Sequence, residues 1–245
     1  MPGTPPSESE PAASLAPSQR RLQRPPDFTG ARLNRFSQVL LRHGLPGAAL
    51  GALCLAVPEM RSLLAGALAG LLTEPGGYLL KGLLVFGLLL GYAWFLDRRL
   101  DARQAGWILY LLAVSTWEEW VFRLALPYYA GTDGDPRLAI VVLSNAAFAA
   151  MHYFTLRWKW QWCLAAFLGG LALSRQMTVH FDLALVVAFH WVATFLNTPR
   201  LPGGGRRAAA IGPPLVSCGA PHYRAATVAA CSAAATSPKT FSSPT

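Results

Sequence analysis

Two adjacent glutamates and an arginine, in the run Glu118-Glu119-Trp120-Val121-Phe122-Arg123, sit inside a long hydrophobic segment of this chain. Two histidines, His152 and His190, stand inside later hydrophobic segments. At membrane depth an ionisable side chain costs roughly 3 kcal/mol even on the lenient insertion scale. Such groups face one another or an interior cavity rather than lipid. The expected fold is therefore all-α: a polytopic bundle of transmembrane helices with a polar site in its interior.

Composition agrees. Of 245 residues, 53% are hydrophobic and 13% charged, against about 25% charged in a soluble domain. The net charge of +9 does not point to nucleic acid, because the basic residues form no patch with interleaved aromatics. They lie in the N-terminal tail (Arg20, Arg21, Arg24, Arg32, Arg35, Arg42), in short loops (Arg98, Arg99, Arg103, Arg157, Lys159) and in the C-terminal tail (Arg200, Arg206, Arg207). Charges that flank membrane spans are spread in this way. Cys54, Cys163, Cys218 and Cys231 are far apart and make no CxxC, so neither a disulfide framework nor a zinc knuckle is expected. A long polar stretch precedes the first apolar run, which is not the layout of a cleavable signal peptide.

Residues 1–35, rich in Pro, Ser, Glu and Arg, and residues 198–245, rich in Gly, Pro, Ala and Ser, read as disordered tails around one membrane domain, 36–197. Within it the apolar runs are Leu45–Leu72, Leu79–Leu96, Trp107–Leu126, Leu138–Phe154, Trp162–Leu173 and Leu183–Leu196. The first is interrupted by Pro58-Glu59-Met60-Arg61, so the count is six or seven spans. Several runs are shorter than the 20 or so residues that cross the hydrocarbon, so polar flanks must extend them. Six spans put the basic loops 97–103 and 155–161 inside with both termini, and the acidic loop Asp133-Gly134-Asp135 outside.

Spacing sorts the polar residues onto faces. Glu119 and Arg123 are four apart and suit an intrahelical ion pair, while Glu118 is turned about 100° away and need not share the arginine. Asn145, Phe148 and His152 share one face of the next segment, among the small residues Ala146, Ala147, Ala149 and Ala150. His190, Thr194 and Asn197 share a face of the last segment. His43, His180 and His222 lie outside these faces and read as flanking or tail residues. Trp158, Trp160 and Trp162 read as an interfacial aromatic belt. One tension is visible: counted along straight helices, Glu118 lies roughly 22 Å from Arg103, but His152 lies roughly 7 Å from Arg157. The helices must tilt, or run past the membrane surface, if the two are to meet.

The patterns EExxxR, FxxxH and HxxxB (B a β-branched residue or Asn) appear in order as Glu118/Glu119/Arg123, Phe148/His152 and His190/Thr194. Over roughly residues 78–197 the chain resembles the CAAX-protease and bacteriocin-processing (CPBP, ABI) family, related to the type II CAAX prenyl endopeptidases. The resemblance implies an intramembrane glutamate-type peptidase acting on a short peptide or a lipidated, CAAX-like protein. Glu118 and His152 would activate a water, His190 and Thr194 would stabilise the oxyanion, and Glu119 with Arg123 would hold the helix; Asn145, Phe148 and Asn197 would support. Some prenyl-protease relatives carry Asn where Thr194 stands. No cofactor is expected. Two histidines and a glutamate suit zinc, but no HExxH fixes two ligands on one helix, so zinc is not favoured. The alternatives are a non-catalytic immunity or scaffold protein of the same fold, or a small proton-coupled transporter. The location expected is a bacterial plasma membrane, with the bilayer and the substrate as partners.

Overall fold

The structure, a computed structural model, describes residues 21–24, 33, 35–98, 100–131 and 136–202. The greater part of both tails, with His222, Cys218 and Cys231, and the loop Thr132–Asp135 lie outside the described residues, as does most of what was expected of the tails. The described residues form helices and no strand; one isolated bridge joins Gln23 to Trp158. Cys54 and Cys163 are buried and free.

Helix α1 runs Phe36–Cys54 and is bent by 104° from α2, Pro58–Ala67. The bend is at the proline: Pro58 is the first residue of α2 and Val57 before it is extended, as the proline ring requires. A short α3, Ala69–Thr73, leads to α4, Pro75–Asp97. Helix α5 has three contiguous pieces: Ala102–Glu119, a π-helical stretch Trp120–Ala125, and Leu126–Tyr129. Then come α6, Leu138–Thr155, α7, Trp160–His180, and α8, Leu183–Asn197. Asp101 and Asp182 cap α5 and α8, accepting from the backbone N–H of Gln104 and Leu185.

The chain passes up and down between two ends. At one end Trp107 Nε1 donates to the Thr198 carbonyl at 2.8 Å and Arg200 pairs with Asp97 at 2.6 Å. At the other, Tyr78 donates to Asp182 at 2.6 Å, and the rings of Tyr128 and Phe181 meet edge to face. Part of the expected disordered tail is packed at the first end. Leu22 is buried, its carbonyl accepts from Lys159 N–H, and Arg24 N–H donates to the Arg157 carbonyl.

Helix α5 is the spine, buried almost continuously from Trp117 to Ala125. Helix α1 reaches it through Gly47 and Gly51: a Cβ at Gly47 would overlap the Trp117 indole, and the Gly51 carbonyl accepts from Trp120 Nε1 at 3.0 Å. Small residues four apart allow this approach.

By length and composition, α4 and α6 are able to cross a membrane, and the bent pair α1–α2 adds a third candidate. This is fewer than the six runs read from the sequence. Helix α8 has 15 residues, short for the hydrocarbon core. Helix α5 carries the buried ions, and α7 carries Gln161, Arg175 and Gln176 among its apolar residues.

Candidate active site

The π-helical stretch of α5 has a local cause. Pro127 lacks the N–H that a four-residue bond to Arg123 would use, and the helix widens just before it. In α1 a second π-helical stretch, Leu40–Gly44, precedes Pro46 in the same way. Single π turns recur at functional sites. Here one carries Arg123 immediately after the two glutamates, and the other carries His43.

Glu118 and Glu119 are both buried, at 1% and 0% exposure. Their side chains go to different partners, as the rotation between adjacent residues demands. Glu119 Oε2 lies 3.4 Å from Arg123 Nε, and Glu119 Oε1 lies 2.5 Å from His190 Nδ1. The Arg123 guanidinium stacks over the Phe148 ring at 3.8 Å. Both residues of this ion pair are fully enclosed. A Cβ on Gly170 of α7 would fall against Arg123 and the Asn145 amide oxygen, so α7 presents a glycine where the guanidinium needs room.

Glu118 instead faces three imidazoles. His152 Nε2 is 3.6 Å from its Oε1, His190 Nε2 is 3.5 Å from its Oε2, and His43 Nε2 is 3.1 Å from its Oε1. The depth tension does not keep the groups apart. His152 stands in the last turn of α6 and Glu118 well inside α5, yet they touch, so the two helices are not level. Two of the rings have their outer nitrogen fixed. His152 Nδ1 is 2.9 Å from the Phe148 carbonyl, which can only accept, so Nδ1 carries the proton. His43 Nδ1 is 2.9 Å from Thr155 Oγ1, and that hydroxyl spends its own proton on the Met151 carbonyl, so this Nδ1 also donates.

His43 corrects the sequence reading, which set it aside as a flanking residue. It is 3% exposed and in contact with Glu118. The signal was present: Val39, His43, Gly47 and Gly51 are four apart, and all are buried. Starting the first helix at Leu45 rather than Phe36 hid that stripe. His180 is exposed at the end of α7.

The supporting residues divide. Phe148 packs against Arg123, His152 and His190. Asn145 is fully buried and donates to Ser174 and to the Val141 carbonyl, tying α6 to α7. Thr194 is half-buried one turn from His190 and makes no side-chain hydrogen bond to the cluster. The Asn197 amide is engaged elsewhere, accepting from Arg21 at 3.3 Å and donating to the Ala193 carbonyl. Trp158 of the expected belt turns inward, its ring 4.6 Å from that of His152.

Residues 103–196 match the family model described as type II CAAX prenyl endopeptidase Rce1-like. No curated protein and no solved structure matches the chain. The matched stretch contains both glutamates, Arg123, His152 and His190, and these are the side chains that meet in the bundle. Over residues 103–196 the chain is similar to the type II CAAX prenyl endopeptidases, a match that supports its resemblance to the CPBP/CAAX protease family.

Proposed function

We propose that this chain is an intramembrane endopeptidase that hydrolyses a peptide bond near the end of a short peptide or a lipidated, CAAX-like protein. The observation that carries the reading is the convergence of His152 and His190, from two other helices, on the buried carboxylate of Glu118. A carboxylate beside an imidazole is equipped to take a proton from water and return it later. In this mechanism the water oxygen bonds to the scissile carbonyl carbon while Glu118, with His152, accepts the water's proton. The carbonyl oxygen becomes an oxyanion. When the C–N bond breaks, the stored proton goes to the leaving nitrogen, giving a carboxylic acid and an amine.

His190 and Thr194 are assigned to the oxyanion. His190 Nδ1 already faces Glu119, so Nε2 donates when the ring is an imidazolium, balanced by that carboxylate. Thr194 supplies a shorter donor than the Asn of some relatives. Glu119, Arg123 and Phe148 position the helix and are not assigned to touch the substrate.

A cavity of about 1210 Å³ lies between α1, α2, α4, α5 and α8, lined by Leu68, Val85, Leu112, Trp117, Trp120 and Val187 among others. Its walls suit an isoprenoid or acyl chain, and Trp117 and Trp120 flank the two glutamates in sequence. Six crossings are proposed, by α1, α4, α5, α6, α7 and α8. Residues 21–24 of the basic tail, Asp97 at the end of α4, the turn after α6 and the end of α8 gather at one end of the bundle, which favours both termini on the cytoplasmic face, proposed to be that of a bacterial plasma membrane.

The test is cleavage by purified protein in liposomes, offered matched prenylated and plain peptides. Wild type is expected to cut and to prefer one class, while Glu118→Gln and His152→Ala, folded equally well, are expected to leave both intact. Cleavage that survives Glu118→Gln would remove the proposed mechanism. No cleavage by wild type would favour an immunity, scaffold or transport role for the same fold.

A further inference from the structure

The turn between α6 and α7 carries a short backbone edge, and the chain's own tail lies on it. Arg157 stands in the left-handed region at φ 58°, which few residues other than glycine adopt. After it Trp158 bridges to Gln23, its N–H returns to the His152 carbonyl at 3.3 Å, and Lys159 leaves at φ −65°, ψ 148°. Two bonds close the bridge: Arg24 N–H donates to the Arg157 carbonyl and Lys159 N–H donates to the Leu22 carbonyl, both at 2.9 Å. This is the pattern of an antiparallel pair whose central residues, Gln23 and Trp158, face each other without bonding directly. The side chains of such a pair stand on one face, at close approach. On that face the Trp158 ring lies 4.6 Å from the His152 ring, and His152 Nε2 lies 3.6 Å from Glu118 Oε1. One indole separates the tail piece from the imidazole assigned to water activation.

The bonds at the centre of this contact are between backbone groups, and they read no sequence: any extended peptide brings the same N–H and C=O. The flanks belong to this tail, with the Arg24 guanidinium 4.1 Å from the centre of the Tyr153 ring and Arg21 4.7 Å from that of Trp162. An extended chain advances about 3.3 Å per residue, so a peptide seated opposite Trp158 needs only about two or three more residues to cover the distance to Glu118. The edge also lies at the end of the bundle where the basic segments gather, the end proposed to face the cytoplasm.

We propose that the Arg157–Lys159 edge is the docking strand for the extended backbone of the incoming peptide, and that residues 22–24 of this chain hold the same place until it arrives. The identity of the incoming chain rests on the peptidase reading. The peptide adds as a strand, accepting from Lys159 N–H and donating to the Arg157 carbonyl, and its residue opposite Trp158 meets the indole beside His152. A tethered occupant competes at high effective concentration, so it raises the apparent KM and leaves the turnover of bound peptide alone.

The test uses the full chain in detergent with the matched prenylated and plain peptides, fluorescently labelled. Binding is read by anisotropy in the Glu118→Gln background, so cleavage is not needed. Leu22→Asp puts a charge in a buried position and expels the tail piece; both peptides should then bind several-fold more tightly. Adding Lys159→Pro should abolish that gain. Proline fits the φ of Lys159 and removes its N–H, and Trp158 before it is already in an extended pairing. Lys159→Ala keeps the N–H and should keep the gain. In the chain with Glu118 intact, Leu22→Asp should lower KM several-fold with kcat unchanged. Equal or weaker binding after Leu22→Asp, or a gain that survives Lys159→Pro, would overturn the docking strand. The two readings fail separately. Tighter binding to the opened edge with no cleavage by wild type would leave the docking strand and remove the peptidase. Cleavage with a KM unmoved by Leu22→Asp would remove the docking strand and leave the peptidase.

Discussion

Glu118 and Glu119 are neighbours in sequence with divided duties: one faces three imidazoles, the other an arginine and the far nitrogen of His190. The division was legible in the sequence, because adjacent helical residues point about 100° apart and Arg123 is in register with Glu119 alone. Glu118→Gln removes the proposed proton acceptor and keeps the shape, so cleavage should fall by about 10²–10⁴-fold with little change in thermal unfolding. Arg123→Met strands a buried carboxylate, so here the loss should be in stability, about 3–5 kcal/mol by unfolding in detergent. Asn197→Ala should leave cleavage unchanged in the same assay, since that amide serves Arg21 and Ala193 rather than the cluster. His43 was missed because the apolar run seemed to begin after it, and α1 starts nine residues earlier, at Phe36 rather than Leu45.

At the scale of the elements, the site depends on two helices that widen before a proline and on glycines that let neighbours in. Prolines 46 and 127 were visible, but a proline in a helix can kink it, end it or stretch it into a π turn, and only packing chooses. Gly170 faces Arg123 and Asn145 without space for a methyl group. Gly170→Ala should therefore cost about 1–3 kcal/mol through overpacking, measurable as a lower unfolding temperature. It should also lower activity by displacing the guanidinium. The apolar runs located the helices because hydrophobicity and helix formation coincide in lipid. Their ends were less legible, because polar residues such as Gln38 and Gln176 continue a helix once its neighbours support them.

For the whole molecule, the basic segments were read one at a time as flanks of membrane spans, and the fold brings them together. The tail piece at Leu22, the turn after α6 and the end of α8 meet through backbone and side-chain contacts that sequence distance conceals. The six crossings proposed would place both tails on one side of the membrane. Reporters fused to the N- and C-termini in intact cells should both read as cytoplasmic; opposite sides would contradict six crossings. The family resemblance was legible because three short patterns keep their order, whereas the contribution of α1 lies outside them. The most direct test of the central claim is incorporation of ¹⁸O from labelled water during peptide cleavage in liposomes. The account predicts one labelled oxygen in the new carboxyl group with wild type and no product with Glu118→Gln. Labelled product formed equally by both would show that Glu118 does not activate the water.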